Sequence, residues 1–230
     1  MPRETFERDL RKLQDEVLVL GSMVGDAIIK SVETLKERDF EGSRQLIRAD
    51  RAINERRFAI ESDALILIAT QQPMASDLRV LAAILEIATE LERMGDYAKG
   101  IARISLMIGE KPLIKPLIDI PRMAEKAQAM LRQALDAFVR RDAELARAIP
   151  AADDEIDALY NQVYRELLTF IMADPHNMDQ ANYLMWVSHN LERTADRVTN
   201  ICERVIFMVT GKMAEIDGER DEDMGIEGVA

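Results

Sequence analysis

Apolar residues recur along this chain at the spacing of a helix face. Phe6, Leu10, Leu13, Val17, Leu20, Val24 and Ala27 alternate steps of four and three, a heptad-like stripe suited to a bundle seam. The stripe predicts a first helix from about Thr5 to Arg38, about 50 Å long at 1.5 Å per residue. Asp39 stands where an N-cap would open a second helix ending near Gln72. Its apolar stripe includes Leu46, Ile53, Ile60, Ala64 and Leu67. Gln72-Pro73-Met74-Ala75-Ser76-Asp77 reads as a turn, since Pro73 stops one helix and suits the start of the next. A third helix runs to about Ile108 with Ile84, Ile87, Leu91, Met94, Ala98 and Ile101 inside. Gly109 follows at the C-cap position.

Residues 109–121 carry three prolines, Pro112, Pro116 and Pro121, so they form no single helix. They make the best boundary in the chain, extended and apolar enough to pack. Helical pattern resumes over about 121–140, 142–173 and 175–210. Pro150 should kink or briefly break the middle segment. Asp174-Pro175-His176-Asn177 is the next turn, and Gly211 ends the last helix. Met185, Trp186 and Phe207 sit at core spacing. Cys202 reads as a small buried thiol. His176 reads as solvated, and His189 as packed or partly exposed.

Composition agrees with helices. Aromatics are 5%, Gly numbers 10 and Pro 7, which argues against a sandwich or barrel. Thirteen Met and abundant Ala, Leu, Glu and Arg favour helix. The single cysteine makes no internal disulfide. The charged start and the absence of any 18-residue apolar run point to a cytoplasmic protein. A net charge of −12 argues against nucleic acid, because phosphate contact needs clustered Lys and Arg. Half of that charge lies in residues 213–230, which read as a disordered acidic tail.

The two sets of three helices are copies of one unit. Displaced by 103 positions, residues 35–54 and 138–157 share seven identities, among them Arg38/Arg141, Asp39/Asp142, Asp50/Asp153 and Ile53/Ile156. Past the turn the offset becomes 100. Leu91-Glu92-Arg93, Asp96 and Ile101 return as Leu191-Glu192-Arg193, Asp196 and Ile201. The expected fold is therefore all-α, with six long helices in two tandem three-helix bundles. The units span 1–110 and 111–212, and the tail follows.

Packing explains the repeated Leu and Ile but not the repeated acids. Glu92/Asp96 and Glu192/Asp196 are i,i+4 pairs, about 5–6 Å apart on one helix face, where like charges repel. Asp50/Asn54 and Asp153/Asp157 form matching pairs on the preceding helix. If those faces oppose, four oxygen-bearing side chains converge in each unit. Two readings stay open. A hard cation such as Mg, Mn or iron fills the cluster, or Arg93, Arg193, Lys99 and Arg197 neutralise it. An enzyme is a rival: di-iron bundles use Glu-x-x-His pairs, but neither histidine follows a Glu by three. His189 precedes Glu192 by three, yet its counterpart is Thr89. A purely structural coiled coil is the third alternative, and it has no use for the acids.

Gln72-Pro73-Met74-Ala75, Asp77-Leu78-Arg79, Leu91-Glu92-Arg93-Met94-Gly95-Asp96, Asn190-Leu191-Glu192-Arg193 with Asp196, and Thr199-Asn200-Ile201 together resemble the PhoU family. The resemblance covers about residues 1–212. It implies two similar three-helix bundles, with the acidic signature carried by Glu92, Asp96, Glu192 and Asp196 and companion positions at Asp50, Asn54, Asp153 and Asp157. In some members these clusters hold metal. Asn54, Ala195 and Arg197 depart from the usual pattern. The resemblance further implies a cytoplasmic regulator that is not an enzyme. Its expected partners are the ATPase subunit of a phosphate ABC transporter and a membrane sensor histidine kinase. A link to the inner membrane would come only through them, and the heptad seams suit a homodimer.

Overall fold

Turn chemistry divides the chain as its repeat requires. The computed structural model describes residues 2–213 and Ile216. Among these residues there are six long helices and one short one: α1 (Pro2–Glu37), α2 (Phe40–Gln71), α3 (Ala75–Ile108), α4 (Asp119–Arg140), the short α5 (Ala143–Ala148), α6 (Asp153–Ala173) and α7 (Met178–Thr210). Arg38 and Arg141 are left-handed, at φ 59° and 54°. The next residue donates its N–H five residues back, Asp39 to the Thr34 carbonyl at 2.8 Å and Asp142 to that of Ala137 at 2.9 Å. Each aspartate then caps the following helix, Asp39 accepting from the Gly42 N–H at 2.8 Å and Asp142 from that of Leu145 at 2.9 Å. The repeated Arg-Asp is thus one stop-and-restart device used twice. Pro150 breaks the middle segment as expected: α5 gives way to a 3-10 turn, Ile149–Ala152, before α6 begins. Gly109 and Gly211 close α3 and α7 at positive φ.

The two units share one interior. α1, α3, α7 and α4 each pack on the next and close a four-helix ring, with α2 laid on α1 and α3, and α6 on α7 and α4. One apolar core joins Val17, Leu20 and Ile84 of the first unit to Leu131, Val187 and Leu191 of the second. The α1 stripe is buried from Phe6 to Val24, then passes to Ile28 while Ala27 is half-buried. A straight helix drifts off a strict heptad in this way. α1 and α4 approach closely at Gly21, where an added Cβ would lie 2.3 Å from Leu135 Cδ1.

The proline-rich segment packs, and it packs on the second unit. The Ile114 N–H donates to Gln180 Oε1, and Gln180 Nε2 donates to the Pro112 carbonyl at 3.0 Å. Buried Lys115 pairs with Glu166. Trp186 departs from its expected place: it is 68% exposed, and Met185 and Phe207 are only half-buried. Neighbouring Val187 is fully buried. One residue turns the helix by about 100°, which aims Trp186 outward. Of the expected tail, Met213 is exposed, and Ile216 is buried with its N–H donating to Glu203 Oε1 at 3.1 Å. Residues 214, 215 and 217–230 lie outside the described residues. No described helix is long and apolar enough to cross a membrane.

Candidate functional site

α2 runs antiparallel to α3, which sets the Asp50 turn beside the Asp96 turn. Gly95 allows the approach, since a Cβ there would meet Ile53 Cδ1 and Cγ2 at 3.2 Å and lie 3.9 Å from Asp50 Oδ1. Asp50 is buried, and between the helices lies the Lys99 ammonium. Lys99 Nζ donates to Asp50 Oδ2 at 2.6 Å and to Asp96 Oδ1 at 3.2 Å. These bonds hold the lysine pKa above its ordinary value, Asp50 contributing most. Asn54 spends its amide within α2, on the Asp50 carbonyl at 3.1 Å and on Asp50 Oδ2 at 3.2 Å. Burial, then the charges of Asp96 and Asp50, push the Glu92 carboxyl up, while Arg57 and Arg93 oppose them. Asp50 and Asp96 therefore meet at a lysine, with Asn54 bonded to Asp50 and Glu92 near enough to feel the charges of both aspartates.

The second unit places Asp153 and Asp157 on α6 and Glu192 and Asp196 on α7. Burial raises the Glu192 pKa, and Asp196 and Asp157 add to the rise; His189 and Arg193 act against it. His189 Nδ1 lies 3.1 Å from Glu192 Oε2, half-exposed. The Lys99 position is taken here by buried Thr199. Among the described residues no three His, Cys, Asp or Glu side chains gather into a ready metal cage. The first cluster does not fit a metal, because an ammonium already bridges its helices.

The arginines are divided. Arg193 Nε lies 3.8 Å from Asp196 Oδ2, and its guanidinium stands 5.8 Å over the Tyr97 ring. Arg93 reaches Glu90 at 3.9 Å rather than Glu92 or Asp96. Arg197 crosses to Glu90 at 3.3 Å, Asn200 joins it at 3.2 Å, and Arg204 pairs with Glu86 at 2.9 Å. Sequence reasoning missed this polar seam between α3 and α7. Its signal was present as polar positions at steps of three and four: 86, 90, 93 and 97 on α3, and 193, 197, 200 and 204 on α7. At one end of the seam Trp186, Met107 and Arg103 border a groove of about 500 Å³. Cys202 is buried and its thiol is pushed up to about 12 by burial, which leaves it no thiolate for nucleophilic work.

The comparisons follow the repeat. A family model described as PhoU domain matches residues 17–105 and again 120–205. The phosphate-specific transport system accessory protein PhoU homolog of Clostridium acetobutylicum is 36% identical over 221 residues, 94% of this chain and 100% of that protein. Its namesake in Rhizobium meliloti is 34% identical over 219 residues, 95% of this chain and 92% of that protein. The crystal structure of PhoU from Pseudomonas aeruginosa superposes with a TM-score of 0.84 at 31% identity, covering 90% of this chain and all of the other. That of the phosphate transport system regulatory protein PhoU from Streptococcus pneumoniae gives 0.84 at 32%, covering 91% and 99%.

Proposed function

The chain belongs to the PhoU family, and from that premise we propose that it is an accessory protein of a phosphate-specific transport system, acting in the cytoplasm as an adaptor rather than an enzyme. It restrains phosphate uptake and phosphate-starvation signalling by bridging the ATPase subunit of the transporter and a membrane sensor histidine kinase, and so sits at the inner membrane through its partners. One observation carries the reading: the same acid pairs recur on the second and third helices of both units, and the two clusters flank one shared four-helix ring. A chain with two related but differently charged faces can hold two different partners together. Switching between them requires that a bound signal or partner favour one arrangement by differential affinity.

The reading includes a hard cation, Mg, Mn or iron, at Asp153, Asp157, Glu192 and Asp196. The support is a sulfur-free carboxylate set, with Thr199 at the position equivalent to Lys99. It also includes a homodimer, which must use a surface other than the α1 heptad seam, since that seam is buried in the chain's own core. Pull-down of the tagged chain from cells grown in rich and in poor phosphate tests the adaptor. Recovery of the transporter ATPase in a phosphate-dependent amount is expected, and its absence in both conditions sinks the reading. Metal analysis of the purified protein against Asp196→Ala tests the cation, and light scattering tests the dimer.

A further inference from the structure

The two acid clusters descend from one repeated pattern but are balanced differently. Asn54 stands where the second unit has Asp157, Lys99 where it has Thr199, and Arg57 where it has Tyr160. All three differences move the first cluster toward internal neutrality. The geometry follows suit. Lys99 Nζ sits between a carboxylate of α2 and one of α3, at 2.6 Å from Asp50 Oδ2 and 3.2 Å from Asp96 Oδ1. A cation joining the two helices would have to stand in that place. The lysine side chain is 22% exposed and that of Asp50 only 7%, so the Asp50 contact is largely withdrawn from water and salt, while Asp96 is half-exposed.

We infer that the Lys99 ammonium is the built-in counter-cation of the first unit, taking the place between Asp50 and Asp96 that a metal would otherwise fill, so that this cluster closes without metal. A tethered ammonium serves fewer oxygens than a metal ion does. Among the described residues Asp50 Oδ1 is buried and accepts no hydrogen bond, beside the Gly95 backbone. A small hard cation can draw on both oxygens of a carboxylate, whereas Lys99 engages only Oδ2. The two units are consequently unequal: the first carries its counter-cation at Lys99, and the second has Thr199 at that position. This holds whether or not the second cluster binds metal.

Mn²⁺ titration followed by electron paramagnetic resonance tests the inference, with the second cluster silenced by Asp157→Asn and Asp196→Asn. That background should bind no Mn²⁺, and Lys99→Arg should leave it so. Lys99→Thr, which installs the second unit's residue, should gain one Mn²⁺ per chain, and adding Asp50→Asn should remove it. The inference is overturned if the Lys99-bearing background binds Mn²⁺ in a manner abolished by Asp50→Asn, or if folded Lys99→Thr binds none. Should Lys99→Thr not fold, the Lys99 ammonium resonance of the otherwise unaltered chain decides. It should stay in place under saturating Mg²⁺, and its displacement would overturn the inference. Metal binding by the second cluster is read separately, in chains that keep Asp157 and Asp196.

Discussion

Arg197 Nη1 lies 3.3 Å from Glu90 Oε2, which ties the signature helix of one unit to that of the other. Glu90 also accepts from Asn200 at 3.2 Å and draws Arg93 to 3.9 Å. Both partners of the central pair are largely buried, at 14% and 15% exposed. Removing one member of such a pair strands the other's charge. Glu90→Ala should therefore cost about 2–3 kcal/mol, read as a lower urea midpoint. Glu90→Gln keeps an acceptor for Asn200 and should cost less. A loss below about 0.5 kcal/mol for the alanine variant would mean that apolar packing alone holds the seam.

The opposite side of the ring depends on a missing side chain. A Cβ at Gly21 would stand 2.3 Å from Leu135 Cδ1, and Leu135 is itself buried. Gly21→Leu cannot be absorbed by rotating one leucine, and overpacking of this kind costs about 1–3 kcal/mol. Calorimetry should record a lower Tm. Leu135→Ala added to Gly21→Leu should recover part of it, since the pair then restores volume. An unchanged Tm in the single variant would show that α1 and α4 separate freely.

Much of this fold was legible because it rests on local signals. The α1 stripe, the Asp39 cap and the Pro150 break each follow from a few neighbouring residues. The acid clusters were legible as positions, because a repeat displays them twice. Their chemistry was not. Lys99 three residues after Asp96 looks like an ordinary surface pair, and only the placement of α2 reveals that it also reaches Asp50, 49 residues away. Glu90 and Arg197 are 107 residues apart, and no local pattern joins them. Trp186 illustrates the other limit. Helical spacing establishes that α7 has a buried face, but which side chains fall at its rim depends on where α3 lies.

Trp186 is the chain's sole tryptophan, so its exposure has a direct readout. Fluorescence emission should be red-shifted, and a neutral quencher such as acrylamide should act strongly on the native protein. Trp186→Ala should change stability by no more than about 0.5 kcal/mol, the usual range for a surface substitution. A core tryptophan would cost about 3–5 kcal/mol. A large loss would place the indole in the interior.

Gln180 holds the connecting segment by bonding backbone groups of Pro112 and Ile114. Gln180→Leu preserves bulk but abandons one carbonyl and one N–H, at about 1–3 kcal/mol for each group left buried and unmet. The segment should then open without global unfolding. Limited thermolysin digestion should cut before Leu113 or Ile114 many times faster than in the parent chain, while far-ultraviolet dichroism is unchanged. Equal digestion rates would show that the Lys115–Glu166 pair suffices to hold the strap.

Glu192 makes stability depend on pH in a direction that can be worked out. Its carboxyl is held above the ordinary 4.5, first by burial and then by the charge of Asp196. The folded chain thus binds the proton more tightly than the unfolded chain does. Between 4.5 and the raised value the native state carries more protons, so this group's contribution falls as pH rises. Above that window the ionised form bears a constant penalty. Glu192→Gln removes it, and in chelator-treated protein this variant should melt higher than the parent at pH 7. The advantage should shrink as pH falls and vanish below 4.5, where the parent's Glu192 is protonated. Asp196→Asn should reduce the advantage at pH 7, because it removes the second cause of the shift. If Glu192→Gln melts lower at pH 7, the contact with His189 at 3.1 Å outweighs the desolvation of the charge, and the second cluster is held together by its ionised form.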